Sequence, residues 1–263
     1  MQIITQLVTP FYLNGVDYEV LEFSVDRQAR YQVDGVLTCG KWGEKSTLTD
    51  EEHIRVARSS VKASKGRIKV YACAGSNDSR KSLRLAEQLL DCGVDGVSLV
   101  LPYYNGGKAR EIVKCAEKIK SLANDKRVFM FYEEKSLDKE WSERLKSAGV
   151  EIVREDNKWD NTHYSHDKNL LNALCVDSAI FSVLSNVFPS ALTHIRRKWE
   201  DGNIQDAVNS FFALEDKIEI LGLHSVPRLK YALSLWGLSH PSVRSPLIEC
   251  DEDEKTEIRR FFD

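Results

Sequence analysis

The sequence predicts an α/β fold whose parallel sheet closes into an eight-stranded barrel, with extra helices at the C-terminal end. Three observations carry this. Short apolar runs recur, and each ends in a polar or glycine-rich cluster: Val33 to Cys39 runs into Gly40-Lys41-Trp42-Gly43-Glu44, residues 68–73 run into Gly75-Ser76-Asn77, and residues 96–101 run into Pro102-Tyr103-Tyr104-Asn105. Helix-like stretches separate the runs, and strands buried on both faces that alternate with helices belong to parallel sheets. Beyond Asn186 the pattern turns purely helical. In a closed barrel of this kind, function gathers at the C-terminal ends of the strands. The chain's unusual side chains fall at those ends.

The elements follow in order. A first strand, 3–8, stops at Thr9-Pro10, and a helix spans about 17–32. After the second strand and the Gly40–Glu44 loop, Thr49-Asp50-Glu51-Glu52 opens the next helix as a capping box, with Thr49 at the cap and Glu52 three residues on. Strands at 68–73, 95–101 and 127–132 alternate with helices at 78–91, 108–122 and 138–147. Ala148-Gly149 closes the last of these before a sixth strand at Ile152-Val153. The pattern then degenerates. Residues 162–165 are expected to form a short seventh strand and 167–174 a helix, with the helix before them reduced to a turn. The eighth strand is 179–183.

Helices are expected at 190–201, 204–221, 226–236 and 251–262. Leu229, Ala232, Leu233 and Trp236 share one apolar face. Pro227 sits in a first turn, where it is tolerated. The division expected is a barrel over 1–201 and a three-helix extension over 202–263, acting as a cap or an oligomer contact.

The 263 residues are 42% hydrophobic and 29% charged, enough for one large core. The formal net charge of −3 gives no footprint for nucleic acid or an anionic membrane. The basic run Arg196-Arg197-Lys198 reads as a solvated helix face. The six cysteines form no Cys-x-x-Cys pair. Cys39, Cys73 and Cys175 sit in or beside apolar runs and are expected to be free buried thiols. The N-terminus has no signal-like segment, and no run is long enough to span a membrane. A cytoplasmic protein in a reducing compartment is expected.

The strand ends carry a resemblance. Leu7-Val8-Thr9-Pro10-Phe11, then Gly40 to Glu44 with Leu48-Thr49-Asp50-Glu51-Glu52-His53, then Ala74-Gly75-Ser76-Asn77, then Pro102-Tyr103-Tyr104-Asn105, are similar to the dihydrodipicolinate synthase / N-acetylneuraminate lyase family. So are Pro227-Arg228-Leu229-Lys230 and Val243-Arg244-Ser245-Pro246-Leu247 near the end. The resemblance implies a (β/α)8 TIM barrel, dimeric or tetrameric, acting as a lyase on a small 2-oxo acid. It implies no cofactor. The family's lysine at the end of strand 6 forms a Schiff base, and a tyrosine at the end of strand 5, matched by Tyr132, relays protons. Tyr103 and Tyr104 match a second tyrosine, Tyr104 being the relay member. Gly40, Trp42 and Gly43 match the loop that binds the substrate carboxylate.

Three departures follow. Arg154 stands where the resemblance places the lysine. A guanidinium offers no free amine lone pair and cannot form the imine. Lys41 and Trp42 replace two small hydroxyl residues. Glu133-Glu134-Lys135-Ser136 lacks the synthase's asparagine-and-arginine pattern, and the segment after Arg154 is short.

Each candidate keeps two readings. Arg154 is an anion clamp or a structural ion pair with Glu133, Glu134, Glu155 or Asp156. Lys41 is a relocated nucleophile, its amine freed by a cationic neighbour, or a partner of Glu44. Tyr132 and Tyr104 are a relay or half-buried barrel tyrosines. His163 and His166, with Glu155, Asp156, Asp160 and Asp167, are metal ligands or an ordinary polar loop. Gly75-Ser76-Asn77 is a phosphate nest or a turn. Two functions remain open: a rewired lyase-like enzyme, and a catalytically silent relative serving as a binding or assembly module.

Overall fold

The computed structural model describes residues 1–102, 104, 109–132, 139–154, 163–222 and 225–261. Eight parallel strands close into a barrel. In chain order they are β1 (Gln2–Gln6), β4 (Gly35–Thr38), β5 (Lys69–Cys73), β6 (Gly96–Val100), β7 (Arg127–Tyr132), β8 (Glu151–Arg154), β9 (His163–Tyr164) and β10 (Ala179–Ser182), with β10 returning to β1. A small hairpin, β2 (Phe11–Tyr12) and β3 (Gly15–Val16), follows β1. The barrel helices are α1 (Tyr18–Arg30), α2 (Asp50–Ser64), α3 (Ser79–Asp91), α4 (Ala109–Ala123), α5 (Lys139–Ser147), α6 (Leu170–Cys175) and α7 (Pro189–Glu200). The extension holds α8 (Ile204–Phe212), α9 (Glu215–Gly222), α10 (Val226–Leu235) and α11 (Glu252–Arg259).

Aromatic contacts identify the inner face of each strand. The Phe129 and Phe181 rings lie 5.1 Å apart, yet β7 and β10 are not neighbours. They therefore meet across the lumen. Ile4, Leu37, Tyr71, Phe131 and Val153 join the same buried cluster. Because successive side chains alternate, Val128, Met130 and Ile152 face outward, into the core shared with the helices. Close approach also fixes Gly75: a Cβ there would lie 2.5 Å from the Val100 backbone nitrogen.

Local signals set the helix starts. The Thr49 hydroxyl accepts from the Glu52 backbone N–H at 3.2 Å, and the Glu52 carboxylate accepts from Thr49 N–H at 3.0 Å, completing the expected capping box. Asp17 and Asp78 cap α1 and α3. The short seventh strand and the helix after it form as expected, β9 having two residues.

Four expectations are corrected. The helix expected over 204–221 breaks into α8 and α9, because the chain tightens where Leu214 N–H bonds the Phe211 carbonyl and buries Leu214. Trp236 caps the end of α10 and is 44% exposed, its ring resting on Phe188. Cys175, at the end of α6, is exposed, whereas Cys39 and Cys73 are buried. Arg196 is not solvated: it reaches inward to Asp34 and to the Gln32 carbonyl.

A buried charge pair fastens the extension to the barrel. Glu44 ends the loop after β4 in a left-handed conformation, φ 52°. Its carboxylate lies 2.5 Å from the Lys230 amine of α10, with side-chain exposures of 1% and 0%. The amine also donates to the Ser242 carbonyl and sits 4.1 Å above the Phe11 ring. Burial pulls the Lys230 pKa down to about 8, against the opposing pull of Glu44. Arg244 completes the knot. Its backbone N–H donates to Glu44, and its guanidinium binds both oxygens of Glu52 at 2.6 Å.

Breaking one partner of a buried pair strands the other charge. Lys230→Met is expected to lower stability by about 3–5 kcal/mol, read from urea midpoints. The Glu44→Gln/Lys230→Met double variant should lose less than the two single losses added together.

Burial also lowers the His53 pKa to about 4, and its Nε2 finds no hydrogen-bond partner among the described residues. The folded state therefore refuses a proton that the unfolded chain takes up near pH 6.5. Stability should fall as pH drops from 6.5 toward 4, by about 2 kcal/mol at pH 5 relative to pH 7. His53→Gln should flatten that slope in denaturation curves taken across this range.

Candidate functional site at the strand ends

The loop after β4 is held from two sides. The Thr9 hydroxyl donates to the Gly43 carbonyl at 2.7 Å, and Glu44 anchors the other end. Gly40, Trp42 and Gly43 are buried. Trp42 packs into the cluster formed by β10, α7 and the extension helices. Lys41 is exposed. Its amine is in water rather than in the dry pocket that frees a lysine nucleophile.

The ends of β7 and β8 bring two candidates side by side. Tyr132 pairs in register with Arg154, and both are buried. The residues one step earlier, Phe131 and Val153, belong to the lumen cluster. Tyr132 instead belongs to the outer cluster with the barrel helices, on the other strand face. Phe131 lies 5.0 Å from Phe181. At this level the lumen is thus filled by phenylalanine and valine. Leu37 and Val100 complete the apolar ring.

Polar bonds knit the other side of the mouth. The Gln6 amide donates to the Phe181 carbonyl at 2.9 Å and contacts the Ser165 carbonyl and hydroxyl. The buried Asp167 carboxylate accepts from the backbone N–H groups of Val183 and Leu184, at 2.9 and 3.0 Å, and from the Ser182 hydroxyl. Burial raises its pKa, with these donors opposing the shift.

Tyr104 is 85% exposed, its backbone N–H held by Asn77. The bond goes to the Asn77 side-chain oxygen, and in the same turn the Ser76 hydroxyl accepts from the Asp78 N–H at 3.3 Å. Tyr103 and the acidic residues of the 133–136 and 155–160 segments lie outside the described residues.

His163 points to the opposite, N-terminal end of the barrel. Its Nε2 lies 2.8 Å from Glu151, and its Nδ1 accepts the Ala179 N–H at 3.1 Å. Accepting there leaves Nδ1 without a proton, so Nε2 carries it to Glu151. Arg127 grips the same carboxylate with two bonds, at 2.7 and 2.5 Å. These partners hold the Glu151 pKa near 2 although burial raises it. Both ring nitrogens of His163 are engaged within the protein. His166 Nδ1 accepts from Lys168 N–H at the start of a short 3-10 turn.

Fold and strand ends together define a (β/α)8 barrel with a helical C-terminal extension. The chain belongs to the dihydrodipicolinate synthetase family, which it matches over residues 1–137 and 153–263. It is 29% identical to a 4-hydroxy-tetrahydrodipicolinate synthase of Gluconacetobacter diazotrophicus, covering 97% of this chain and 94% of that one. A synthase of the same name from Methanosphaerula palustris is 27% identical, with 99% of each chain covered. The crystal structure of dihydrodipicolinate synthase from Aquifex aeolicus superposes with a TM-score of 0.90 at 24% identity, covering 99% of this chain and 96% of that one.

Sequence reasoning missed Phe131, Val153, Phe181 and the Glu44–Lys230 pair. Leu229-Lys230 and Val243-Arg244, which lie in the segments that carry the family resemblance, were the signal for the pair.

If Phe181 closes the lumen by packing, Phe181→Ala is expected to cost about 3–5 kcal/mol in chemical denaturation. A loss below 1 kcal/mol would mean that the lumen relaxes around the missing ring.

Proposed function

We propose that this chain is a family member without imine chemistry at the sixth barrel strand, keeping the barrel as a non-covalent binding or assembly module. One observation carries the reading. Phe131 and Phe181 meet across the lumen beside Val153, where an imine-forming lysine would have to enter to meet a bound 2-oxo acid. A Schiff base needs a neutral amine in a desolvated site. Neither valine nor arginine supplies one, so the reading holds whether Val153 or Arg154 occupies the family's lysine position. The partner proposed is a small carboxylate or 2-oxo acid, and the assembly a homo-oligomer. The synthase activity named for the relatives is not carried over. A lyase-like step through Lys41 would need that exposed side chain to become buried on ligand binding.

Borohydride trapping tests this. The protein is incubated with pyruvate, reduced, and mapped by mass spectrometry, with a lysine-bearing relative as the positive control. Pyruvate is the apt probe because a dihydrodipicolinate synthase of Acinetobacter baumannii, 23% identical with a TM-score of 0.89, is described in complex with it. No adduct is expected on this chain. An adduct on Lys41 or any other lysine refutes the proposal. One variant tests the family position: Arg154→Lys should acquire no adduct while Phe131 and Phe181 fill the lumen, and an adduct there refutes the closed-lumen reading. Circular dichroism checks that it stays folded.

A further inference from the structure

The basic run at residues 196–198 does not act as one face. Arg196 turns inward to Asp34, and the Lys198 amine donates to the Ser210 hydroxyl of α8 at 3.2 Å. Arg197 lies between these fates. It is exposed, and its guanidinium donates to the Gln32 side-chain oxygen at 3.1 Å. Gln32 is neutral, and Arg197 has no carboxylate partner among the described residues. It lines a cleft of about 580 Å³ between the end of α1 and α7, together with Arg30, Tyr31, Gln32, His194 and Ser190.

The charge around this cleft does not balance. Arg30 pairs with Asp26 at 2.6 Å, but the same carboxylate also serves Arg67 at 2.5 Å. One acid thus answers two guanidinia. Arg27, one turn earlier on α1, spends its fork on the backbone carbonyls of Asn186 and Val187. Asp34 is engaged by Arg196, which also faces Glu200 at 4.0 Å; five guanidinia, Arg27, Arg30, Arg67, Arg196 and Arg197, thus stand against three carboxylates, Asp26, Asp34 and Glu200. A surplus of positive charge remains at a concave surface large enough for a small ligand. Guanidinium groups bind tetrahedral oxyanions through paired N–H donors. His194 and the Ser190 hydroxyl add polar groups to the same wall.

We propose that the cleft between α1 and α7 is an anion site for phosphate or a phosphomonoester, with Arg197 and Arg30 as its principal donors. Tyr31 and Gln32 lead from α1 into β4, so the cleft lies toward the N-terminal end of the barrel. It is separate from the strand-end mouth and does not depend on the function proposed there.

Calorimetric titration of the full chain with inorganic phosphate, at constant ionic strength and pH 7, tests the site. A second arm uses glycerol 3-phosphate, which separates free phosphate from a phosphomonoester as the preferred form. Saturable binding in either arm, weakened at least tenfold by Arg197→Gln and abolished by Arg30→Gln/Arg197→Gln, is the expected result. Both side chains are exposed, so the variants should fold, which circular dichroism verifies. No saturable binding in either arm, or equal affinity in the variants, overturns the proposal.

Discussion

The ion pair between Glu44 and Lys230 governs how the parts of this molecule are arranged. Taking two charges out of water is costly, and their attraction repays it only with good geometry and further hydrogen bonds. Here those bonds come from the Ser242 carbonyl, the Arg244 backbone N–H and the Phe11 ring face. Phe11 lies on the hairpin after β1, and Ser242 and Arg244 lie on the strap between α10 and α11. The pair can form only when the hairpin after β1, the loop after β4, α10 and the strap leading to α11 are all in place. It therefore selects one arrangement of the mouth, and it makes the C-terminal helices part of the barrel's own architecture. Arg244 extends the constraint through Glu52, which also caps α2, so helix start and strap share one carboxylate.

The lumen shows a second constraint, of shape rather than charge. Tyr71, Phe129, Phe131 and Phe181 meet edge to face at centroid distances of 5.0–5.1 Å, the arrangement that aromatic quadrupoles favour. Rings of this size leave little room for a substrate at their level. The fold is shared with the synthases it superposes on, but chemistry is carried by side chains at particular positions. A barrel can keep its sheet register and helix order while the groups facing its axis change from reactive to inert.

The architecture was legible because its signals are local. The capping box at Thr49 and Glu52, the strand-stopping clusters and the weakened pattern near β9 each lie within a few residues. Facing was harder. Residues 128–132 read Val-Phe-Met-Phe-Tyr, apolar or aromatic throughout, because a parallel barrel strand is buried on both sides. Without alternation, nothing in the sequence separates Phe131 from Tyr132 as the residue facing the axis. Only contact with β10, remote in the chain, does so. Lys230 was concealed for a related reason. It interrupts the apolar Leu229-Lys230-Tyr231 stretch, and its partner, Glu44, lies on a loop far earlier in the chain. The basic run at 196–198 misled because helical periodicity does not reveal that one arginine has a half-buried carboxylate waiting just before β4.

The shortness of β9 carries a consequence for how this sheet breathes. Two residues give it a single register pair with β10, Tyr164 with Ile180. Much of the seam is held instead by side chains: the Gln6 amide reaching the carbonyls of Phe181 and Ser165, and the His163 ring taking the Ala179 amide hydrogen. Bonds of this kind can be lost without unwinding a strand. Local opening should cost least there, which makes the staves on either side of β9 the natural hinge line of an otherwise continuous cylinder.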